Sequence, residues 1–175
     1  MKGRFALCVV LLAAAGCKPR QHSQYLDDLS ALIQRSDQIV VTEHSSDFDA
    51  LAPNDDPNST RIRSLIPEEI VYERRELSPA QKRMFLDTVE NLDPAPQTAF
   101  PACVPVVHHT IRFFKAHQLI STMDICFHCG QFSWDGTKAD EPQALYSGLY
   151  AVVTHIGMHP ERDWEALAKS HLTSH

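Results

Sequence analysis

Residues 109–127 read HTIRFFKAHQLISTMDICF, and the fold follows from this stretch. Residues 109–114 are rich in β-branched and aromatic side chains, which predicts a strand with Ile111 and Phe113 on one face. Residues 115–118 supply a turn, and 119–127 predict a second strand. The connection is short enough for a hairpin, which sets Ile111 and Phe113 opposite alternating residues of the second strand. Cys129 and Gly130 then turn the chain. Residues 131–134 predict a third short strand, closed by Asp135-Gly136.

Upstream, Leu26, Leu29 and Ile33 recur at helical spacing and predict a helix over 24–35. The run Ile39-Val40-Val41-Thr42 predicts a strand over 38–43. Residues 44–60 are rich in Ser, Asp, Asn and Pro and read as a loop, and their acids do not have the spacing of a calcium-binding EF-hand. The stretch 69–76, EIVYERRE, has a β-prone centre and charged ends, as in a half-exposed strand. Ser78-Pro79-Ala80-Gln81 is a helix start: Ser78 caps, Pro79 fits the first position, and Gln81 completes a capping box. Phe85, Val89 and Leu92, widened by Met84 and Leu86, give the buried stripe of a helix ending near Asn91. Downstream, Leu145, Leu149, Val153 and Ile156 mark a helix over 142–156, with Gly157 as its C-cap. Trp164 and Leu167 belong to a short last helix. The expected fold is α+β: a mostly antiparallel sheet of about four or five strands, with helices packed on one side.

The N-terminus has a separate character. Lys2 and Arg4 precede the apolar run 5–15, which is too short to span a bilayer. A positive start, a short apolar core and small residues before a cut site read as a signal peptide. The segment Ala14-Ala15-Gly16-Cys17 resembles the lipobox of bacterial lipoproteins. That resemblance implies cleavage before Cys17, diacylglyceryl attachment to its sulfur, and a membrane anchor of two or three acyl chains such as palmitate. The simpler alternative is an ordinary signal peptide that leaves Cys17 a free thiol. Lys18 after the cysteine implies, in a Gram-negative lipoprotein, the outer membrane with the domain facing the periplasm. The expected organisation is a signal peptide at 1–16, a lipidated cysteine and tether at 17–23, and one domain at 24–175.

Removing 16 of the 175 residues leaves 159, enough for one hydrophobic core. Lys2 and Arg4 leave with the signal, so 14 basic residues face 22 acidic ones and the mature formal charge is -8. With no basic block, nucleic-acid binding is a poor reading. No phosphate-cradling glycine loop is present.

Cys103, Cys126 and Cys129 lie at the two ends of the hairpin that meet in space, near His108, His109 and His128. Three readings stay open. A zinc-type site would use Cys126 and Cys129 with Cys103 and one histidine, His109 or His128. A thiol-disulfide redox pair would use Cys126 and Cys129, although such pairs usually open a helix. A structural disulfide would join Cys103 to Cys126 or Cys129 and leave the third cysteine buried. Asp124, inside the second strand, is a candidate base near His109, but no nucleophile stands in an elbow motif. His155 and His159 read as surface residues, and Arg74, Arg75 and Arg112 as a solvated face.

The matches Cys103, Pro105, His109, Ile111, Cys126, Phe127 and Cys129 resemble a group of small, uncharacterised bacterial proteins, many of them exported. Here His108 replaces the group's usual arginine before the histidine, and His128 its usual acid between the cysteines. The resemblance covers roughly 100–132 and implies a shared hairpin, with no activity attached. The functional expectation is a non-enzymatic envelope lipoprotein that binds another envelope component, with no cofactor. A zinc-binding or redox protein acting through Cys103, Cys126 and Cys129 is the alternative.

Overall fold

The structure is a computed structural model that describes residues 23–51, 64–66, 68–98 and 102–174. The expected signal peptide, Cys17 and most of the expected tether therefore lie outside the described residues, as does 52–60 of the polar loop. Nine elements follow one another: α1 (Gln24–Arg35), β1 (Gln38–His44), β2 (Val71–Glu76), α2 (Pro79–Glu90), β3 (His109–Lys115), β4 (Gln118–Cys126), β5 (Gln131–Trp134), α3 (Leu145–His155) and α4 (Trp164–Thr173). The five strands form one sheet in the order β2-β1-β3-β4-β5, and every pairing is antiparallel. The expected α+β architecture is the observed one.

Local chemistry explains most boundaries. Ser23 caps α1 by accepting from Leu26 N–H. Ser78 and Gln81 form the capping box of α2 with Pro79 just inside it. The β3–β4 turn is a tight one: Lys115 pairs with Gln118, and Ala116 and His117 both have positive φ, 48° and 64°. Gly157, at φ 82°, takes the left-handed conformation that ends α3. α3 starts at Leu145, later than the apolar periodicity suggests, because 142–144 form a turn before it. β2 likewise starts at Val71, later than the sequence suggests.

Side chains alternate across the sheet. Ile39 and Val41 of β1, Ile111 and Phe113 of β3, and Met123 and Ile125 of β4 share one face and are at most 1% exposed. α1, α2 and α3 bury Leu29, Leu32, Ile33, Phe85, Leu149 and Val152 against that face. Each such side chain contributes roughly 1.5–3 kcal/mol. α4 stands apart. Its buried residue is Ala168, which packs in a small separate cluster with Ala50 and Ile66.

Candidate functional site

The apolar face of the sheet turns polar at one end. Glu43 pairs with Glu73 of β2 on one side and with His109 of β3 on the other. Strand alternation sends these three side chains to the face of Ile39, Val41, Ile111 and Phe113. The segment leading into α4 lies against this end. The backbone N–H of His159 donates to Glu43 Oε1 at 2.6 Å. Arg162 Nη2 lies 3.1 Å from Glu43 Oε2 and 3.4 Å from Glu73 Oε2.

Glu43 is fully buried, and burial raises its pKa against the opposing pull of the His159 N–H and Arg162. His109 is also fully buried, and desolvation, aided by His108, lowers its pKa to about 3. Both shifts favour the neutral form. The His109 ring stands edge-on to Phe127 at 5.0 Å and to Trp164 at 5.6 Å. Neither of its nitrogens makes a hydrogen bond, although the His159 backbone is close enough to favour its charged form slightly. Tyr72 stacks on Trp164 at 6.1 Å, and burial, with Asp49 adding to it, pushes its hydroxyl up to about 12.

Among the described residues, the buried side-chain polar atoms without a hydrogen-bond partner are Glu43 Oε2, Tyr72 Oη, His109 Nδ1 and Nε2, and Arg162 Nε. Glu43 Oε2 is near Arg162, but their geometry gives no directed bond. All five atoms belong to this one end of the sheet. A buried orphan of this kind costs about 1–3 kcal/mol, so their concentration calls for a functional cause.

Beside this row lies a cleft of about 400 Å³, walled by Phe48, Asp49, His108, Phe127, Arg162 and Trp164; Arg162 is its link to the row, since Glu43, Glu73, Tyr72 and His109 do not line it. His108 is the best-held of these. Its Nε2 is 2.8 Å from Asp49 Oδ1, and its ring stacks on Trp164 at 4.4 Å with a 7° tilt. Asp49 is held in turn by the Ser46 N–H on its other oxygen, 2.8 Å away. His128, Glu161, Asp163 and Glu165, with the apolar Val106 and Pro160, complete the described lining. Two further clefts, of about 410 and 520 Å³, lie near Pro94 and Trp134, and none of the unpartnered atoms belongs to a residue lining them.

The cysteines form a different arrangement. Cys103 and Cys129 are joined by a disulfide, one of the two structural pairings the sequence allows, and Cys126 is a buried free thiol. The zinc-type set of Cys103, Cys126, Cys129, His109 and His128 is not assembled. The disulfide takes two thiolates, and alternation along β4 sends Cys126 to the sheet face opposite His109. Among the described residues no three His, Cys, Asp or Glu side chains are placed to hold a metal ion.

Asp124 corrects another expectation. It pairs with Thr110, so it faces away from His109. Thr110 Oγ1 donates to Asp124 Oδ1 at 2.9 Å and lies 2.9 Å from His44 Nε2. Thr110 is only 3% exposed at the centre of the sheet, so this chain of polar groups has no room for a substrate. His155 and His159 are exposed. Arg112 donates to Thr42 Oγ1 at 3.2 Å.

Sequence reasoning reached His108 and His109 but missed Glu43, Asp49, Tyr72, Glu73, Arg162 and Trp164 as a group. Glu43 carried a signal, because an acid at the inward parity of Ile39 and Val41 breaks the apolar alternation. Asp49 and Arg162 come from loops and Trp164 from the first turn of α4, and none carried a signal that joined it to the others. No family model, no curated protein and no solved structure matches this chain.

Proposed function

We propose that this chain is an exported, lipid-anchored envelope protein whose domain binds a small polar molecule in the cleft that Arg162 lines. The observation that carries the binding reading is the gathering of the unpartnered buried polar atoms at one end of the sheet, where Arg162, one of their residues, forms part of the wall of an open cleft. The lipobox-like Ala14-Ala15-Gly16-Cys17 supports the anchor. The Cys103–Cys129 disulfide supports an oxidising compartment. A binding role fits better than hydrolysis because Thr110 and Cys126, the nucleophile types near the sheet centre, are buried. Among the described residues no helix is long and apolar enough to cross a membrane.

The test of the cleft is thermal stabilisation of the full chain in detergent by a panel of small polar metabolites, set against His128→Trp. His128 is exposed and lines the cleft, so tryptophan there fills space without disturbing the core. Compounds that stabilise the parent and not the variant support the reading. A panel without effect, or effects that survive His128→Trp, refutes it. Palmitate labelling that disappears in Cys17→Ser tests the anchor separately.

A second reading is thiol-disulfide exchange. Cys103 is exposed within its disulfide, and the free thiol of Cys126 lies three positions before the buried partner Cys129. It expects Cys126→Ser to abolish turnover with an external dithiol while leaving the Cys103–Cys129 bond intact.

A further inference from the structure

We propose that Glu43 and Glu73, reached from the cleft past Arg162 in its wall, form a cation site for a small alkylguanidinium compound, and that Arg162 fills it in this structure as a tethered stand-in. The proposal rests on the cleft-binding reading and names its ligand class.

The sheet forces the first step. Antiparallel pairing sets Glu43 beside Glu73 on one face, and Glu43 is fully buried. Two carboxylates so placed need a cation between them or must hold a proton. The cation present is the guanidinium of Arg162, so the site accepts that group by size and charge.

The fit is loose. One nitrogen, Nη2, serves both carboxylates at 3.1 and 3.4 Å, and Nε is buried without a partner. A well-seated guanidinium meets a carboxylate with two parallel bonds. Glu43 Oε2, Tyr72 Oη and one nitrogen of neutral His109 all accept hydrogen bonds and all lack a donor. A free alkylguanidinium has five donors and is not held to the approach angle of the Arg162 stem.

Arg162 is also placed to leave. It sits between the end of α3 and the start of α4, and its side chain is 25% exposed in the cleft wall. α4 is held through Ala168 in a cluster apart from the main core. Phe48, Phe127 and Trp164 offer apolar wall for an alkyl stem, and Glu161 and Asp163 add negative charge around it. An anionic ligand is disfavoured. Arg162, the only Arg or Lys among the described lining residues, already stands between two carboxylates.

The test titrates n-butylguanidinium into the full chain in detergent micelles and reads heat and tryptophan fluorescence. Saturable binding is expected. A tethered occupant competes at an effective concentration in the millimolar range, so Arg162→Ala is expected to bind at least about tenfold more tightly. Glu43→Gln is expected to bind at least about tenfold more weakly, and Glu73→Gln replaces it if Glu43→Gln does not fold. Asp87→Asn with Glu90→Gln, remote on α2, controls for general charge attraction. An Arg162→Ala affinity no better than the parent's, or a remote variant as weak as Glu43→Gln, overturns the proposal. So does the absence of saturation below about 10 mM in every variant. Tighter binding of butyrate than of butylguanidinium also overturns it, yet leaves the cleft as a binding site. Loss of both in His128→Trp would then place that binding in the cleft.

Discussion

Replacing His109 with phenylalanine separates the cost of the site from its use. His109 is fully buried between Phe127 and Trp164 and bonds through neither nitrogen. Phenylalanine has nearly the same shape and no polar atom to desolvate, so His109→Phe is expected to be at least as stable as the parent at pH 7. The sharper consequence is in acid. A histidine of the unfolded chain takes its proton near 6.5, whereas folded His109 takes it only near 3. Between those values the unfolded chain binds the extra proton, so lowering the pH favours unfolding. By pH 5 the difference amounts to about 1.5 pH units, or about 2 kcal/mol. Glu43 works in the opposite sense. Its raised pKa means the folded chain holds its proton more firmly, which favours folding as the pH falls toward the ordinary carboxylate range. His108, His44, Arg162 and the His159 backbone, which also act on His109, remain in the variant with Glu43. Their pull on the His109 ring is already contained in its lowered value, and what they contribute apart from that ring is common to both proteins. Urea unfolding at pH 7 and pH 5 should show the parent losing about 2 kcal/mol more than His109→Phe. Equal losses would refute the claim that His109 is held neutral by burial. Weaker ligand binding in a variant of undiminished stability would mark His109 as kept for the site.

Three further outcomes test the frame around the cleft. The Cys103–Cys129 disulfide spans a sequence separation of 26 residues. Breaking it with Cys103→Ser should lower stability by about 3.5 kcal/mol on the chain-entropy model, read as a lower urea midpoint. At the β3–β4 turn, His117 has φ 64°, a conformation glycine adopts without penalty. His117→Gly should raise the melting temperature by the equivalent of about 1 kcal/mol, and a fall would refute the strain at that position. Ser78→Ala removes the side-chain half of the α2 capping box and should cost about 1 kcal/mol in the same unfolding assay.

The fold was legible because its signals are local. The hairpin could be read from alternation around Ile111 and Phe113, and both ends of α2 from Ser78, Gln81 and its apolar stripe. What periodicity could not supply was strand order. β1 lies between β2 and β3 through pairing with residues some seventy positions away, Thr42 with Thr110 for instance. Nothing in residues 38–44 names that partner. Element starts slipped for a related reason. Leu145 begins α3 because residues 142–144 turn ahead of it, and a helix-period stripe extends through such a turn without showing it.

The site was legible only in part, because it is made by convergence. Glu43 and His109 lie 66 positions apart, and the pairing of β1 with β3 brings them together. Reading parity, not motif, would have joined them: the inward row Ile39, Val41, Glu43 of one strand meets the inward row Phe113, Ile111, His109 of the next. Apolar sequences that turn ionisable at the same end of two strands mark an end of the sheet built to hold charge or a ligand. The cysteines drew attention because their spacing is conspicuous, yet alternation along β4 separates Cys126 from His109. The same alternation that parts Cys126 from His109 therefore assembles the carboxylate row. Arg162 completes that row from a segment with no periodic signal, which is also why it can serve as a replaceable part of the site.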